Sequence, residues 1–484
     1  MVDTLIIGGG TAGCVLAARL SADPSHTVRL LEAGPVWTDA AERPADLLDA
    51  NRMPIDPESP WLWRYPVTLA DGAGVVGNIV RGKVIGGSGA INGGYFVRAT
   101  AADFTAWSKE LDGSTTWSFD SVLPAYRRLE RDFDYGDRPG HGTTGPIPVR
   151  RTAAPTPLSL EFASACTALG FPLIPDLNTL PGTAPADGFG PVPCNIEHGM
   201  RVDTGSAYLM PALARPNLTV TGAMLVTRIR FRGTRAIGVD YLHEGKPGTV
   251  DADRIVLCAG AIESAALLLR SGIGDPEQLR ALDIPVRHPA PVGAWFSDHP
   301  EIGIDYRFDR GMPDSVPLEY VLEIDDVEIR PYAVSFTPYT HRLGVALMRP
   351  RSEGVLRLRS ADPVVAPHID YRYLSAAADR IRLREAVTSA LAILREIPMA
   401  YAPDSIPEPA EGWLRANLAT SQHLSGTCRM GGAHDERAVV DEWCRVHGTT
   451  GLSVVDLSVV PVPLSRGPQA TAMLIAERAA EHLT

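Results

Sequence analysis

The stretch VDTLIIGGGTAGCVLAARL, residues 2–20, constrains the fold more than any other part of the chain. Leu5-Ile6-Ile7 reads as the end of a β-strand. Gly8, Gly10 and Gly13 follow in GxGxxG spacing, and the apolar periodicity from Ala12 to Leu20 predicts a helix. TVRLLEAG, residues 27–34, reads as a second strand ending in Glu32. Each part has a physical reason. Gly8 permits a tight turn, Gly10 lets the backbone approach a pyrophosphate, and Gly13 allows close helix–strand packing. The helix then presents its positive end to phosphates, with Thr11 and Ala12 on that first turn. Glu32 is placed to accept from ribose hydroxyls, and the neighbouring Ala33 is a further cofactor-binding candidate. A carboxylate there disfavours NADP, whose 2′-phosphate it would repel, and the motif alone does not separate FAD from NAD.

The 484 residues suggest two or three domains, and 45% hydrophobic residues fit a soluble globular enzyme. A net charge of −12 argues against a nucleic-acid surface. None of the six cysteines forms a CxxC pair, so no metal site is expected. No run reaches the length of a membrane span and no signal-like segment precedes Val2. A cytoplasmic location is expected, with peripheral membrane contact left open.

A second glycine-rich stretch, RGKVIGGSGAINGGYFVRA, spans residues 81–99. Gly82, Gly86, Gly87, Gly89, Gly93 and Gly94 are too dense for a packed helix or strand. They suit backbone passing against a flat ligand, where a Cβ would collide. Val84, Ile85, Ile91 and Phe96 are expected to be buried, which argues against a loose surface loop. Two such loops suit a long cofactor touched at both ends.

With these motifs the chain resembles the glucose-methanol-choline (GMC) family of FAD-dependent oxidoreductases. Residues 81–99 resemble its first signature, and GAIESAALLLRSGIG, 260–274, its second, with Ala265 where the family usually has proline. PVGAWFSDHP, 291–300, HLSGTCRMG, 423–431, and the closing helix complete the set in order. The resemblance implies an α/β fold: a doubly wound, Rossmann-like FAD-binding domain with an inserted α+β substrate domain on an antiparallel sheet. The expected boundaries are 1–150, 195–298 and 424–484 for the FAD domain, and 151–194 and 299–423 for the substrate domain. Arg81, Gly82, Val84, Gly86, Gly87, Ser88, Gly89, Asn92 and Gly93 of the first signature would contact FAD. So would Val226 by the adenine, Ala259 and Gly260, Asp456 near the ribityl-phosphate, and Pro468 and Gln469 at the closing helix. Some family members attach FAD to a histidine just before the signature asparagine. Here that residue is Ile91, so FAD is expected to be non-covalent. RSEGVLRLRS, 351–360, alternates as a half-buried strand. A helix follows, with Ile381, Leu383, Ala386, Ala390 and Leu391 along one stripe.

Alcohol oxidation needs a base for the hydroxyl proton, and imidazole suits neutral pH. His423 matches the family's catalytic histidine, and His299 of SDHP reads as structural or near the flavin. The second catalytic position, usually histidine or asparagine, falls on Gly467, fixed in register by Pro468 and Thr471. Three readings stay open: His423 works alone, with water and bulkier substrates using the vacated volume; Gln469 or Ser465 reaches in; or the chain binds FAD without the usual chemistry. Gly467 could also be kept for a positive φ. The resemblance implies FAD-dependent oxidation of a small-molecule alcohol or a reduced redox cofactor, with electrons passed to an acceptor other than NAD. A narrower resemblance is to the mycofactocin-associated flavin dehydrogenases. The rival readings are a hydroxynitrile lyase-like enzyme with structural FAD and a non-catalytic FAD-binding relative. The oligomeric state is not legible.

Overall fold

Strand Val2–Ile7 runs parallel between Val28–Leu31 and the end of Lys246–Leu257. Leu218–Thr221 extends this sheet on one side and Leu452–Val454 on the other, both in parallel. Leu5, Ile6, Leu30, Ile255, Val256 and Leu257 are fully enclosed, as a sheet covered on both faces requires. The first half of Lys246–Leu257 turns out of the parallel sheet. It pairs antiparallel with Arg235–His243, which pairs with Met224–Arg232 around Gly233. The computed structural model describes residues 2–53, 56, 58–70, 75–337, 340–398, 400–401 and 409–483.

Helix Thr11–Leu20 packs on helix Gln469–Ala480, and Gly260–Arg270 lies against Met224–Arg232. The closing helix buries a charge that a helix surface would ordinarily leave to solvent. Glu477 is buried rather than solvated, because Arg19 of the first helix pairs with it at 2.7 Å and the Tyr208 hydroxyl donates to it at 2.9 Å. A buried carboxylate is tolerable only with such partners.

A second sheet is antiparallel throughout. It runs Ala400–Tyr401, Pro300–Phe308, Thr340–Leu347, Val327–Thr337, Tyr320–Ile324 and Gly188–Pro191, with Leu418–Thr420 beside the start of Pro300–Phe308. Helix Ala377–Glu396 packs on strand Thr340–Leu347 and helix Pro157–Ala168, with Leu383, Ala386, Val387, Ala390, Leu391 and Leu394 buried. Ile381 is 49% exposed and leaves the expected stripe. Two residues before Leu383 is a rotation of about 200°, which turns Ile381 to the opposite face.

The expected domain boundaries cut through a third sheet. Leu62–Ala70 pairs antiparallel with Val75–Gly82 and parallel with His368–Asp370, which pairs with Val355–Arg357. Segments assigned to the FAD portion (62–82) and to the substrate portion (355–370) therefore share one sheet. Leu356 and Leu358 are buried while Arg357 and Arg359 are exposed. No helix among the described residues is long and apolar enough to cross a membrane.

Candidate active site

A cavity of about 590 Å³ runs between the parallel sheet and the antiparallel one. Of the residues singled out from the sequence, Gly8, Gly10, Thr11, Ala12, Glu32, Ala33, Arg81, Gly82, Gly87, Ser88, Asn92, Gly93, Val226, Ala259, Gly260, Asp456, Pro468, Gln469 and His423 line it. Gly13, Val84, Gly86 and Gly89 do not, and each has a structural reason. Gly13 lies under the first turn, where a Cβ would sit 1.9 Å from the Gly8 carbonyl oxygen. Val84 is enclosed among Leu47, Leu62 and Ala90. Gly86 adopts a left-handed φ of 89°, and a Cβ there would press on Asp203. A Cβ at Gly89 would strike the Thr11 hydroxyl and the Gln469 amide.

The lining fits FAD. A Cβ on Gly10 or Gly260 would meet nothing of the protein closer than 3.8 Å, so both present bare backbone to the cavity. The helices beginning at Thr11 and Gln469 lack a side-chain N-cap, which leaves their first N–H groups for a ligand. Two buried donor atoms, Gln469 Nε2 and Arg81 Nη2, have no protein partner. Glu32 accepts from the Gly9 and Gly34 N–H groups, each at 2.7 Å, and keeps a lone pair on each oxygen for ribose hydroxyls. Burial raises its pKa. Asp456 accepts from Gly260 N–H at 2.9 Å and Ser264 Oγ at 2.6 Å, which ties the second signature to the C-terminal segment. Ile91 lines the cavity beside Asn92 and offers no nucleophile. Acid precipitation of the yellow protein should therefore release all flavin to the supernatant; colour in the pellet would show a covalent link.

At the other end His423 meets His299. Their Nδ1 atoms are 2.8 Å apart, and His299 Nε2 is 2.9 Å from the Leu464 carbonyl oxygen. A carbonyl only accepts, so His299 carries its proton on Nε2 and offers the lone pair on Nδ1. His423 must then donate from Nδ1, which leaves the lone pair on its Nε2. Burial and the nearby Arg330 push His299 down to about 3, so it stays neutral. Burial, then His299, Arg330 and Arg81, lower His423 well below its ordinary value. Asp298 fixes both backbones, accepting from His299 N–H at 2.6 Å and His423 N–H at 2.7 Å. Burial lifts its carboxyl to about 6.

Gly467 lines the cavity, but its expected empty volume is filled. A Cβ there would lie 2.9 Å from Tyr95 Cδ1 and 3.1 Å from Cε1. Its φ is not in the left-handed region, so the backbone does not demand glycine. Ser465 does not reach in: its hydroxyl donates to Asp103 at 2.7 Å. Gln469 does line the cavity.

The antiparallel sheet adds a charged wall that the motifs did not disclose. Glu301, Arg330 and Tyr332 face the cavity. Arg330 binds Glu328 through Nε at 2.8 Å and Nη2 at 2.6 Å, and its Nη1 binds Glu301 and Ser421, each at 2.8 Å. The signal was present in DVEIRPY. Glu328, Arg330 and Tyr332 alternate with Val327 and Ile329, so charge lies on the inward face of a central strand.

Residues 2–301 and 350–476 match two family models, both described as GMC oxidoreductase. The chain belongs to the GMC oxidoreductase family. A GMC-type oxidoreductase of Rhodococcus erythropolis is 44% identical, over 99% of this chain and 97% of the relative. The oxygen-dependent choline dehydrogenase of Staphylococcus saprophyticus is 34% identical over 99% and 94%. The crystal structure of pyridoxine 4-oxidase from Mesorbium loti superposes with a TM-score of 0.90 at 28% identity, covering 100% of this chain and 99% of that one. This GMC oxidoreductase is an FAD-dependent enzyme acting on CH–OH donors.

Proposed function

We propose that the enzyme oxidises a small alcohol with His423 as the base. The observation that carries this is the histidine pair: Leu464 O fixes the tautomer of His299, and His299 fixes that of His423. Nε2 of His423 is then a neutral lone pair on the lining of the cavity, ready to take the hydroxyl proton. Asp298 accepts from both histidine backbone N–H groups and so keeps the two segments side by side. Bound FAD supplies the acceptor for the hydride leaving the carbinol carbon. Glu301, Glu328 and Arg330 are buried, so their charges act with little solvent screening. Electrons pass to an acceptor other than NAD: a quinone, the respiratory chain or oxygen. The narrower form of this reading takes a reduced redox cofactor of the mycofactocin type as the alcohol.

The test is anaerobic mixing of FAD-loaded protein with a panel of alcohols while flavin absorbance is followed. Bleaching by at least one alcohol is expected. A flavin that no alcohol bleaches would point to a lyase or a binding protein. The pH profile is a second readout. A base whose pKa is depressed stays unprotonated as pH falls, so the rate should hold through 6.5 and decline only below it. An acid limb centred at or above 6.5 would place the base elsewhere.

A further inference from the structure

We propose that Tyr95 takes the space of the absent side chain at Gly467 and sets the size of alcohol that this site admits; the second half of this rests on the alcohol reading above. Glycine at 467 is demanded by room rather than by backbone. Its conformation is one that any residue adopts, yet a single methyl would collide with the Tyr95 ring.

The ring cannot move aside cheaply. Gly94, at a left-handed φ of 71°, sets its direction, and a Cβ on Gly94 would strike Ile196. The Gly94 N–H donates to Asn92 Oδ1 at 2.9 Å, and its carbonyl accepts from Asn195 N–H at 2.9 Å. Tyr95 itself bridges to Cys194. At the far end its hydroxyl donates to Glu328 Oε1 at 3.3 Å, and Arg330 clamps the other oxygen of that carboxylate. Arg330 also holds Ser421, two residues before His423. The ring is thus locked to the segment that bears the base. Tyr95, Gly467 and His423 line the same cavity. Where a polar side chain would approach the substrate, this chain offers an aromatic surface, which favours an apolar substituent and limits its bulk.

The test uses FAD-loaded wild type, Gly467→Ala, Tyr95→Ala, Tyr95→Phe and the double variant Gly467→Ala/Tyr95→Ala. Gly467→Ala is expected to lower the melting temperature in the wild-type background and to leave it unchanged in the Tyr95→Ala background, as for two groups sharing one space. Additive losses would overturn the shared space. Flavin reduction is then followed with primary alcohols of increasing substituent bulk. Tyr95→Ala should raise the rate ratio of bulky to small alcohols by about tenfold or more, the scale of one or two pocket methylenes. Tyr95→Phe, which keeps the ring, should keep the wild-type ranking. An unchanged ratio in Tyr95→Ala would overturn the size limit. A wild type that no alcohol reduces would overturn the alcohol reading and the size limit with it, while the melting-temperature cycle still decides the shared space.

Discussion

Replacing His423 with alanine should leave FAD bound and slow its reduction by alcohol by about 10²-fold or more, the usual contribution of a positioned acid–base group. FAD retention is expected because the cavity-lining backbone of Gly8, Gly10, Gly87 and Gly260 and the carboxylates of Glu32 and Asp456 are untouched. The loss follows because no other neutral imidazole lines the cavity among the described residues: His299 is spent on Leu464 and His423. Stopped-flow absorbance gives the reduction rate, and the flavin-to-protein ratio gives loading. A variant reduced at near the wild-type rate would move the base to another residue.

The second large effect separates two glycines of one motif. Gly10→Val should fold but fail to load FAD, because its side chain projects into the cavity and meets little of the protein. Gly13→Ala should instead destabilise the fold by about 3 kcal/mol, the upper range for overpacking, since its Cβ would lie 1.9 Å from the Gly8 carbonyl oxygen. Circular dichroism melting and flavin content together distinguish the two. A soluble Gly10→Val protein with full flavin would mean that the pyrophosphate does not lie there.

Local pattern carried most of the cofactor end. The strand, the glycines and Glu32 fall within one continuous stretch, and Gly82, Gly87 and Gly93 line the cavity as the density of that loop suggested. Val84 and Gly86 show the limit of such patterns, because a residue inside a signature can serve its packing rather than its ligand. What was not legible depended on contacts between distant segments. Nothing near residue 467 announces Tyr95, and nothing near 477 announces Arg19. An acidic residue on a helix reads as solvated until its partner is known. Ile381 erred differently: its place one helical face away from Leu383 follows from a 3.6-residue period, and only the apolar side chain suggested otherwise. The charged wall was legible in the alternation of Glu328, Arg330 and Tyr332, although alternation alone does not tell a cavity from solvent.

The pairing of Arg19 with Glu477 joins positions 458 residues apart. During synthesis, Arg19 emerges from the ribosome roughly 20–90 s before its partner, at ordinary elongation rates of about 5–20 residues per second. For that interval the first helix has no closing helix to cover it, and the strand before it awaits residues 246–257 as its neighbour. The cofactor chamber draws its lining from Ile7 to Ala472, so it does not exist on the nascent chain until nearly all of it has been made. Flavin capture is thus expected after elongation, at release and maturation. A ribosome stalled before the closing helix should hold a chain that carries no yellow colour.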